Sequence, residues 1–159
     1  KRLEYYRYIA EGGPAPSVVV IEDIDERPAM GAFWGEVNSA IHKGLGCHGC
    51  VTNGSFRDLE DWAPGFHMLG GRVGPSHAWV HLVDFGGEVA VNGMTAADGD
   101  LIHADRHGAM IIPADAVAEL PAAVALCQAR EAPVLQAARA PGFTIDKLAA
   151  ALGKARDIH

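Results

Sequence analysis

The chain has 159 residues, of which 49% are hydrophobic and 21% charged, and its formal net charge is −7. This length suits one domain, and so many evenly spread apolar residues exclude an intrinsically disordered chain. No apolar run reaches the ~20 residues that span a bilayer, and the dispersed acidic charge argues against a basic nucleic-acid-binding face. We therefore expect neither a membrane nor a nucleic-acid partner.

Three cysteines are too few for a disulfide scaffold, so we expect a reducing, cytoplasmic setting. Cys47 and Cys50 form a Cys-x-x-Cys pair, whereas Cys127 lies far along the chain. The pair could be two buried strand cysteines, part of a zinc site or a redox pair. We favour the buried cysteines, because a structural zinc site needs about four ligands. Since the chain begins with Lys1 rather than Met, we expect that residues precede it.

The first part of the chain alternates predicted helices and strands, assigned from apolar spacing, β-branched runs and glycine or proline stops. The first helix should end at Gly12-Gly13-Pro14, and Asn53-Gly54 is a turn signal after the second strand. The predicted elements, in chain order, are a helix over 1–11, strand Ser17–Ile21, a helix over 35–44, strand Cys47–Thr52 and a helical start over 57–62 that Pro64 stops.

The middle of the chain has short β-like runs between glycine-rich turns, which predict a compact sheet, sandwich or barrel. The predicted helices that follow cover 114–139, interrupted near Pro121 and Pro133, and 144–156, with Thr144 as N-cap. The predicted short strands are 66–69, 77–85, 88–91, 101–104 and 109–112. This order indicates an α/β fold but not a regular doubly wound one. We expect a single domain over 1–159, with 114–159 as its C-terminal helical extension.

The stretch from Gly35 to Asp58 holds the side chains best suited to chemistry. A helix that begins at Gly35-Glu36 offers free backbone N–H groups, which bind anions such as carboxylates. Arg57 supplies a planar fork for a carboxylate or enolate oxygen, and Asp58 could hold a hard cation such as Mg²⁺. The alternatives are a surface charge pair at a helix start for Arg57 and Asp58, and a first-turn carboxylate favoured by the helix dipole for Glu36.

Three other groups of residues are weaker candidates. His77 and His81, with Asp84, could line a pocket or bind a metal, but we favour packing, interface or solvent roles for them. If this segment is a strand, its spacing puts His77, Trp79 and His81 on one face. The acidic run 22–26 is a solvated loop or the edge of a site. Trp34, Trp62 and Trp79 are expected in the core or at an interface.

Two blocks together carry a family resemblance. The first block is the spacing from Gly35-Glu36 to Gly54-x-x-Arg57-Asp58, and the second is the Gly-Asp, apolar, Ala-Asp, Gly, apolar-run, Pro pattern of 99–113. In this order the two blocks resemble the RraA-like family. That family includes the regulator of ribonuclease E activity A and the 4-hydroxy-4-methyl-2-oxoglutarate aldolases. The resemblance covers about residues 12–120. It implies a swivelling β/β/α domain with short-stranded sheets and flanking helices, lacking the family's N-terminal helical region, in a homotrimer or homohexamer with sites at subunit interfaces.

The resemblance also implies an activity. It indicates a class II aldolase-like lyase, dependent on Mg²⁺ or Mn²⁺, that cleaves 4-hydroxy-2-oxo acids to pyruvate and could decarboxylate oxaloacetate. Arg57 would contact the keto oxygen, Asp58 would hold the metal, and Glu36 would sit near the metal waters. The implied substrate-binding backbone groups belong to Gly35, Glu36, Val37 and Asn38. A non-enzymatic, protein-binding regulator of a ribonuclease is the alternative.

The chain departs from the family's pattern close to these residues. Val37 and Asn38 stand where leucine-like residues are usual, and Asn53 stands where Asp is usual. These departures bear on the identity of the 2-oxo acid more than on the position of the site.

Overall fold

The computed structural model describes residues 1–13 and 15–159; Pro14, part of the predicted end of the first helix, lies outside them. The chain divides into two compact units, Lys1–Ile112 and Pro113–His159. The elements of the first unit are α1 (Arg2–Glu11), β1 (Ser17–Ile21), β2 (Ala32–Trp34), α2 (Glu36–Gly44), β3 (Cys47–Thr52), β4 (Ser55–Phe56), β5 (His67–Leu69), β6 (Arg72–Val73), β7 (Val89–Val91), β8 (Met94–Ala96), β9 (Leu101–Asp105) and β10 (Gly108–Ile112).

Six of these strands form two small parallel sheets, with strand orders β1-β3-β5 and β2-β4-β6. The β-branched run of β1 pairs with β3 up to the Ile21↔Thr52 pair. In the second sheet, Trp34 of β2 pairs with Phe56 of β4. The Asn53-Gly54 turn joins β3 directly to β4. The chain therefore passes from one sheet to the other immediately before Arg57 and Asp58.

The other four strands form two antiparallel hairpins, β7-β8 and β9-β10. Together with the flanking helices they give a mixed α/β fold built from small sheets, as expected from the sequence. Four strands that the sequence analysis missed, β2, β4, β6 and β8, have only two or three residues each. A period of two cannot be recognised in so short a run.

The core of the first unit is built on Trp34, Cys47, Cys50 and Phe66. The Trp34 and Phe66 rings are stacked, with their centroids 5.5 Å apart. Both cysteines are buried as free thiols, and burial raises the pKa of each. The structure thus agrees with two buried strand cysteines. It gives no support to the zinc or redox alternatives, since a raised pKa makes a thiol unreactive.

The predicted helical start over 57–62 is wrong. Asp58 has φ 55°, a left-handed conformation that cannot continue an α-helix. The segment makes a single turn instead, in which the Asp61 N–H donates to the Asp58 carbonyl oxygen at 3.1 Å. The alternative that placed Arg57 and Asp58 at a helix start is therefore also wrong in its geometry.

The predicted strand over 77–85 is wrong as well: no strand forms there, and Ala78 has φ 44°, outside the extended region. The imidazole Nδ1 of His77 lies 2.8 Å from the Ala78 carbonyl oxygen, and that of His81 lies 3.2 Å from the Trp79 carbonyl oxygen. Trp79 is 95% exposed, so it is not a core residue, whereas Trp34 and Trp62 belong to the core region. Among the described residues, no group of three metal-ligating side chains forms, here or elsewhere.

The second unit is a pair of helices, α3 (Leu120–Arg139) and α4 (Ile145–Arg156). Thr144 caps α4 as predicted, accepting a hydrogen bond from the Lys147 N–H. The predicted helix over 114–139 begins only at Leu120, because residues 114–119 form turns; Pro121 lies in its first turn, where its missing N–H costs nothing. The predicted interruption near Pro133 is wrong, because α3 continues through this residue. In the described part of the chain, no helix is long and apolar enough to cross a membrane.

Candidate functional site

The pairing of β2 with β4 brings the two halves of the candidate site together. Parallel strands end at the same edge of their sheet, and the crevice outside that edge is where such sheets bind ligands. Trp34 and Phe56 are paired at this edge, so the next residues along each strand, Gly35 and Arg57, leave the sheet side by side. The predicted Gly35-Glu36 and Arg57-Asp58 segments therefore meet.

A carboxylate sits at the start of α2. The Glu36 N–H donates to Asp58 Oδ2 at 3.1 Å, and Arg57 Nε lies 3.4 Å from the same oxygen. A Cβ at Gly35 would lie 2.4 Å from Asp58 Oδ2 and 3.0 Å from Arg57 Cζ. Only glycine permits this approach, because real Cβ atoms do not come so close to other heavy atoms.

The Arg57 side chain is held by the backbone of β2. The Arg57 backbone N–H donates to the Trp34 carbonyl oxygen at 3.0 Å, and the side-chain Nη1 donates to the Ala32 carbonyl oxygen at 2.8 Å. The Trp62 indole N–H donates in turn to the Arg57 carbonyl oxygen at 2.9 Å. Within the residues that the structure describes, Arg57 Nη2 has no partner, so it remains able to donate to a ligand.

The first turn of α2 keeps two backbone donors for an anion. The Ser39 N–H donates to the Gly35 carbonyl oxygen, and the Glu36 N–H is bonded to Asp58. The N–H groups of Val37 and Asn38 have no acceptor among the described residues, as is usual in a first helical turn. Of the four residues predicted to bind substrate through their backbone, only Glu36 has its N–H bonded to an acceptor among the described residues, and Val37 and Asn38 are the two within α2 that keep a donor for a ligand.

The buried face of α2 is polar, consisting of Asn38, Ser39 and His42, while Val37 is 59% exposed. Ser39 Oγ accepts from the Ala63 N–H at 3.1 Å and donates to the Glu36 carbonyl oxygen at 2.8 Å. Ser39 thereby fixes the loop after Arg57 against α2. Neither Ser39 nor His42 was identified from the sequence, because a serine or histidine within an apolar pattern carries no sign of its partners.

Asn38 ties α2 to its neighbours through its side chain. The amide nitrogen donates to the Phe33 carbonyl oxygen. The amide oxygen accepts from the Tyr6 hydroxyl at 3.1 Å and from Arg2 Nη2 at 3.5 Å. The side chain is therefore committed to α1 and β2, and only the Asn38 backbone can take part in the site.

His42 is fully buried between Trp34 and Tyr5, 4.5 Å from the Trp34 ring centroid. Its Nδ1 donates to the Asn38 carbonyl oxygen at 2.6 Å, because a carbonyl can only accept. Its Nε2 is then the acceptor of the Tyr5 hydroxyl at 2.8 Å. Burial lowers the pKa of His42, and the Arg2 charge lowers it further, against the opposing effect of the bond to Asn38.

Asn53, which stands where the resemblance leads one to expect Asp, has a structural role. Its Oδ1 accepts from the Asp23 N–H at 2.7 Å, and its Nδ2 donates to the Asp23 carbonyl oxygen at 2.9 Å. A carboxylate could not make the second bond. Asp23 also accepts from the Ala29 N–H, so part of the acidic run 22–26 forms a hydrogen-bonded loop rather than a set of free carboxylates.

We call Gly35, Glu36, Arg57 and Asp58 the α2 corner. A divalent cation fits the oxygen donors of this corner. Asp58 Oδ1 has no partner within the described residues, and the side chain of Glu36 is exposed at the adjacent helix start. Mg²⁺ often uses one or two protein carboxylates and keeps several waters, so this set suits it. A structural zinc site, which takes four nitrogen or sulfur ligands, does not fit.

The family model RraA-like (Aldolase/RraA) matches residues 3–111, which all lie within the first unit. This chain therefore belongs to the RraA-like family, and the resemblance found in the sequence is confirmed. The match includes α1, which the sequence resemblance over about 12–120 left out. A comparison with curated protein sequences finds no significant match.

Solved structures share the fold. An uncharacterized protein from Pseudomonas syringae pv. tomato matches 97% of this chain and 68% of its own, with 21% identity and a TM-score of 0.68. The Streptomyces coelicolor RraAS2 protein, described as an unusual member of the RNase ES inhibitor RraA family, matches 83% and 68%, with 21% identity and a TM-score of 0.59. The RNA-processing inhibitor RraA from Thermus thermophilis matches 69% and 66%, with 21% identity and a TM-score of 0.55. The chain spans about two thirds of each neighbour.

The buried imidazole predicts a loss of stability in mild acid. The folded-state pKa of His42 lies below its unfolded value of about 6.5, so between the two values the unfolded state binds more protons. The free energy of unfolding should therefore fall as the pH drops below about 6.5, by up to about 1.4 kcal/mol per pH unit. Urea unfolding of wild type and His42→Gln between pH 5 and pH 8 measures this, and the variant should show a shallower slope.

His48→Gln, which alters an exposed histidine on β3, is the matched control and should keep the wild-type slope. An unchanged slope in His42→Gln would remove His42 as the source of the acid sensitivity.

The close packing at Gly35 predicts that a single methyl group opens the corner. Gly35→Ala should displace the Asp58 carboxylate from the Glu36 N–H and cost about 1–3 kcal/mol of unfolding free energy. Hydrogen exchange at the Glu36 amide should become faster. Gly44→Ala, at the other end of α2 where a Cβ meets nothing within 4 Å, is the control. Equal behaviour of the two variants would contradict the packing described.

Proposed function

We propose that this protein is a divalent-metal-dependent, class II aldolase-like lyase that cleaves 4-hydroxy-2-oxo acids to pyruvate in the cytoplasm. One observation carries the proposal: Arg57, Asp58 and the unbonded amides of α2 lie at one corner of the β2-β4-β6 sheet. A cation, a planar guanidinium and two backbone donors are what a 2-oxo carboxylate needs for recognition. Membership of a family whose description includes aldolases supports the same assignment.

The substrate's carboxylate is assigned to the first turn of α2. The N–H groups of Val37 and Asn38 would donate to it, assisted by the positive end of the helix dipole. Their carboxylate ligand would lie beside Asp58, so its negative charge requires a compensating cation nearby. We therefore expect the substrate carboxylate to bind more tightly when a cation is bound at Asp58.

Arg57 is assigned to the keto oxygen at C2. When the C3–C4 bond breaks, its electron pair moves to C3 and the C2 oxygen acquires negative charge, giving the pyruvate enolate. Arg57 Nη2, which has no other partner among the described residues, would donate to that oxygen. Its bond to the Ala32 carbonyl fixes the guanidinium in advance, as electrostatic stabilisation of developing charge requires.

Asp58 is assigned to the metal, through the Oδ1 atom, which has no hydrogen-bond or ion-pair partner among the described residues. When bound there, Mg²⁺ or Mn²⁺ supplies Lewis-acid polarisation of the 2-oxo acid. The C4 hydroxyl group becomes a carbonyl as it loses its proton, and C3 of the enolate takes up a proton to give pyruvate; we assign no side chain of this chain to either transfer. Loss of CO₂ from oxaloacetate forms the same enolate, so decarboxylation is an expected side activity.

We place the complete site in a homotrimer or homohexamer. The exposed apolar side chains of Val37, Met30 and Trp79 support an assembly, with exposures of 59%, 60% and 95%. Val37 belongs to the first turn of α2, so a subunit that covered it would also border the proposed carboxylate site.

A protein-binding regulator of a ribonuclease is the second candidate. It is favoured by two structural neighbours whose descriptions name an RNA-processing inhibitor and an RNase ES inhibitor family. The two candidates differ in one observable. A lyase releases pyruvate from 4-hydroxy-2-oxo acids or oxaloacetate and loses this activity with chelator, whereas a regulator of this kind shows no metal-dependent turnover.

Replacing the Arg57 fork by a point charge should remove most turnover. Lys cannot reach the Ala32 carbonyl and the keto oxygen together, and loss of one fixed oxyanion donor costs about 10²–10³ in kcat. Arg57→Lys should therefore show a loss of that size in a coupled pyruvate-release assay. Arg27→Lys, at an exposed loop position, should match wild type. Near-wild-type turnover in Arg57→Lys would exclude Arg57 from the mechanism.

Removing the Asp58 carboxylate should weaken metal binding. Asp58→Ala is expected to lower Mg²⁺ and Mn²⁺ affinity at least about tenfold, because the carboxylate is the principal protein ligand proposed. Isothermal titration calorimetry with each metal measures the change. The control is Asp61→Ala, an exposed carboxylate in the same loop; undiminished affinity in Asp58→Ala would refute the assignment.

A further inference from the structure

A cavity of about 360 Å³ lies within the first unit, and the candidate catalytic residues do not line it. It is formed where β3 and β5 end, at Thr52 and Leu69, and it is bordered by the β7-β8 hairpin and the β9-β10 turn. β3 and β5 are neighbouring parallel strands. The cavity therefore occupies the crevice outside the carboxyl ends of a parallel sheet, which is the preferred place for a ligand in such sheets.

Apolar side chains form one part of the cavity wall, and the polar side chains of Thr52, Asn92, Arg106 and His107 form the rest. Val51 and Val91 are buried, with 6% and 3% exposure, and Met94 and Leu69 are half-buried beside them. Small-molecule sites usually have volumes of roughly 300–1,000 Å³ and apolar walls with a few placed polar groups. The volume and lining are thus suited to a compact molecule with an apolar body.

One charged side chain, Arg106, lines the cavity. It forms no ion pair with any residue that the structure describes. The nearest carboxylate along the chain, Asp105, is engaged elsewhere: it accepts from the His107 N–H at 2.7 Å and lies 3.1 Å from the His107 ring. Arg106 is therefore an exposed cation at the cavity with no ion-pair partner among the described residues.

Thr52 supplies a second donor. Its side chain is 3% exposed, and its Oγ1 accepts from the Gly54 N–H at 2.9 Å. The hydroxyl proton has no acceptor among the described residues, although a buried hydroxyl normally donates as well as accepts. A ligand oxygen in the cavity would satisfy both this hydroxyl and the Arg106 guanidinium.

We propose that this cavity binds a small carboxylate with a short branched or linear apolar body, held by Arg106 and Thr52 at its charged end and by Val51, Val91 and Met94 along its body. The proposal is independent of the lyase assignment, because it uses none of the residues of the α2 corner and needs no metal.

The test uses protein labelled with ¹³C at the methionine methyl groups, without added divalent metal. Isovalerate is the probe, and the Met94 methyl signal reports on the cavity, whereas Met30, which does not line the cavity, is the internal reference. Saturable movement of Met94, with Met30 unchanged, is the expected result. Arg106→Gln should weaken isovalerate binding at least about tenfold, because a charge-assisted hydrogen bond is lost, and Arg7→Gln on α1 should not.

Two further probes test the two halves of the ligand. Isovaleramide lacks the charge and inorganic phosphate lacks the apolar body, so each should bind at least about tenfold more weakly than isovalerate. The proposal would be overturned if isovaleramide or phosphate bound as tightly as isovalerate. It would also be overturned if the Met94 signal did not move or if Arg106→Gln bound isovalerate with unchanged affinity. A normal methionine spectrum of Arg106→Gln without probe ensures that a loss of binding is not a loss of fold.

Discussion

The hydrogen bond from the Glu36 N–H to the Asp58 carboxylate is the contact on which the candidate site depends. It joins the start of α2 to the loop that follows β4, and it places Arg57 Nε beside the same oxygen. The contact forms only because Gly35 has no side chain and because Asp58 adopts a left-handed backbone conformation. Asp is among the few residues that tolerate this conformation.

The contact is stabilised by a polar layer under α2 rather than by an apolar one. Burying a polar group costs free energy unless it is hydrogen-bonded, and Asn38, Ser39 and His42 all have partners. These partners come from α1, β2 and the loop after Arg57, so the same bonds that satisfy the buried groups fix three segments around the helix start. A network in which every buried polar group is hydrogen-bonded favours one arrangement of its segments, because a displaced partner leaves a buried group unpaired.

The sequence predicted the parts of this structure that depend on local chemistry. The β-branched run of β1, the Cys-x-x-Cys strand and the Thr144 cap were assigned correctly, and the spacing from Gly35 to Asp58 indicated the family. The sequence could not predict features decided by tertiary contacts. The left-handed Asp58 ended a predicted helix, and the exposed loop around Trp79 replaced a predicted strand. Likewise, the partners of His42 are up to 37 residues away in sequence, and the roles of Arg57, Asp58 and Glu36 stay predictions.

We propose that the two unbonded amides of α2 and the Asp58 carboxylate form one site for a 2-oxo acid and a metal. The most direct test is a titration of ¹⁵N-labelled protein with pyruvate, followed through the amide signals of Val37 and Asn38, with and without Mg²⁺. Both signals should shift saturably with pyruvate, and Mg²⁺ should tighten the apparent binding. Signals of Val37 and Asn38 that stay unmoved at saturating pyruvate and Mg²⁺ would contradict the proposal.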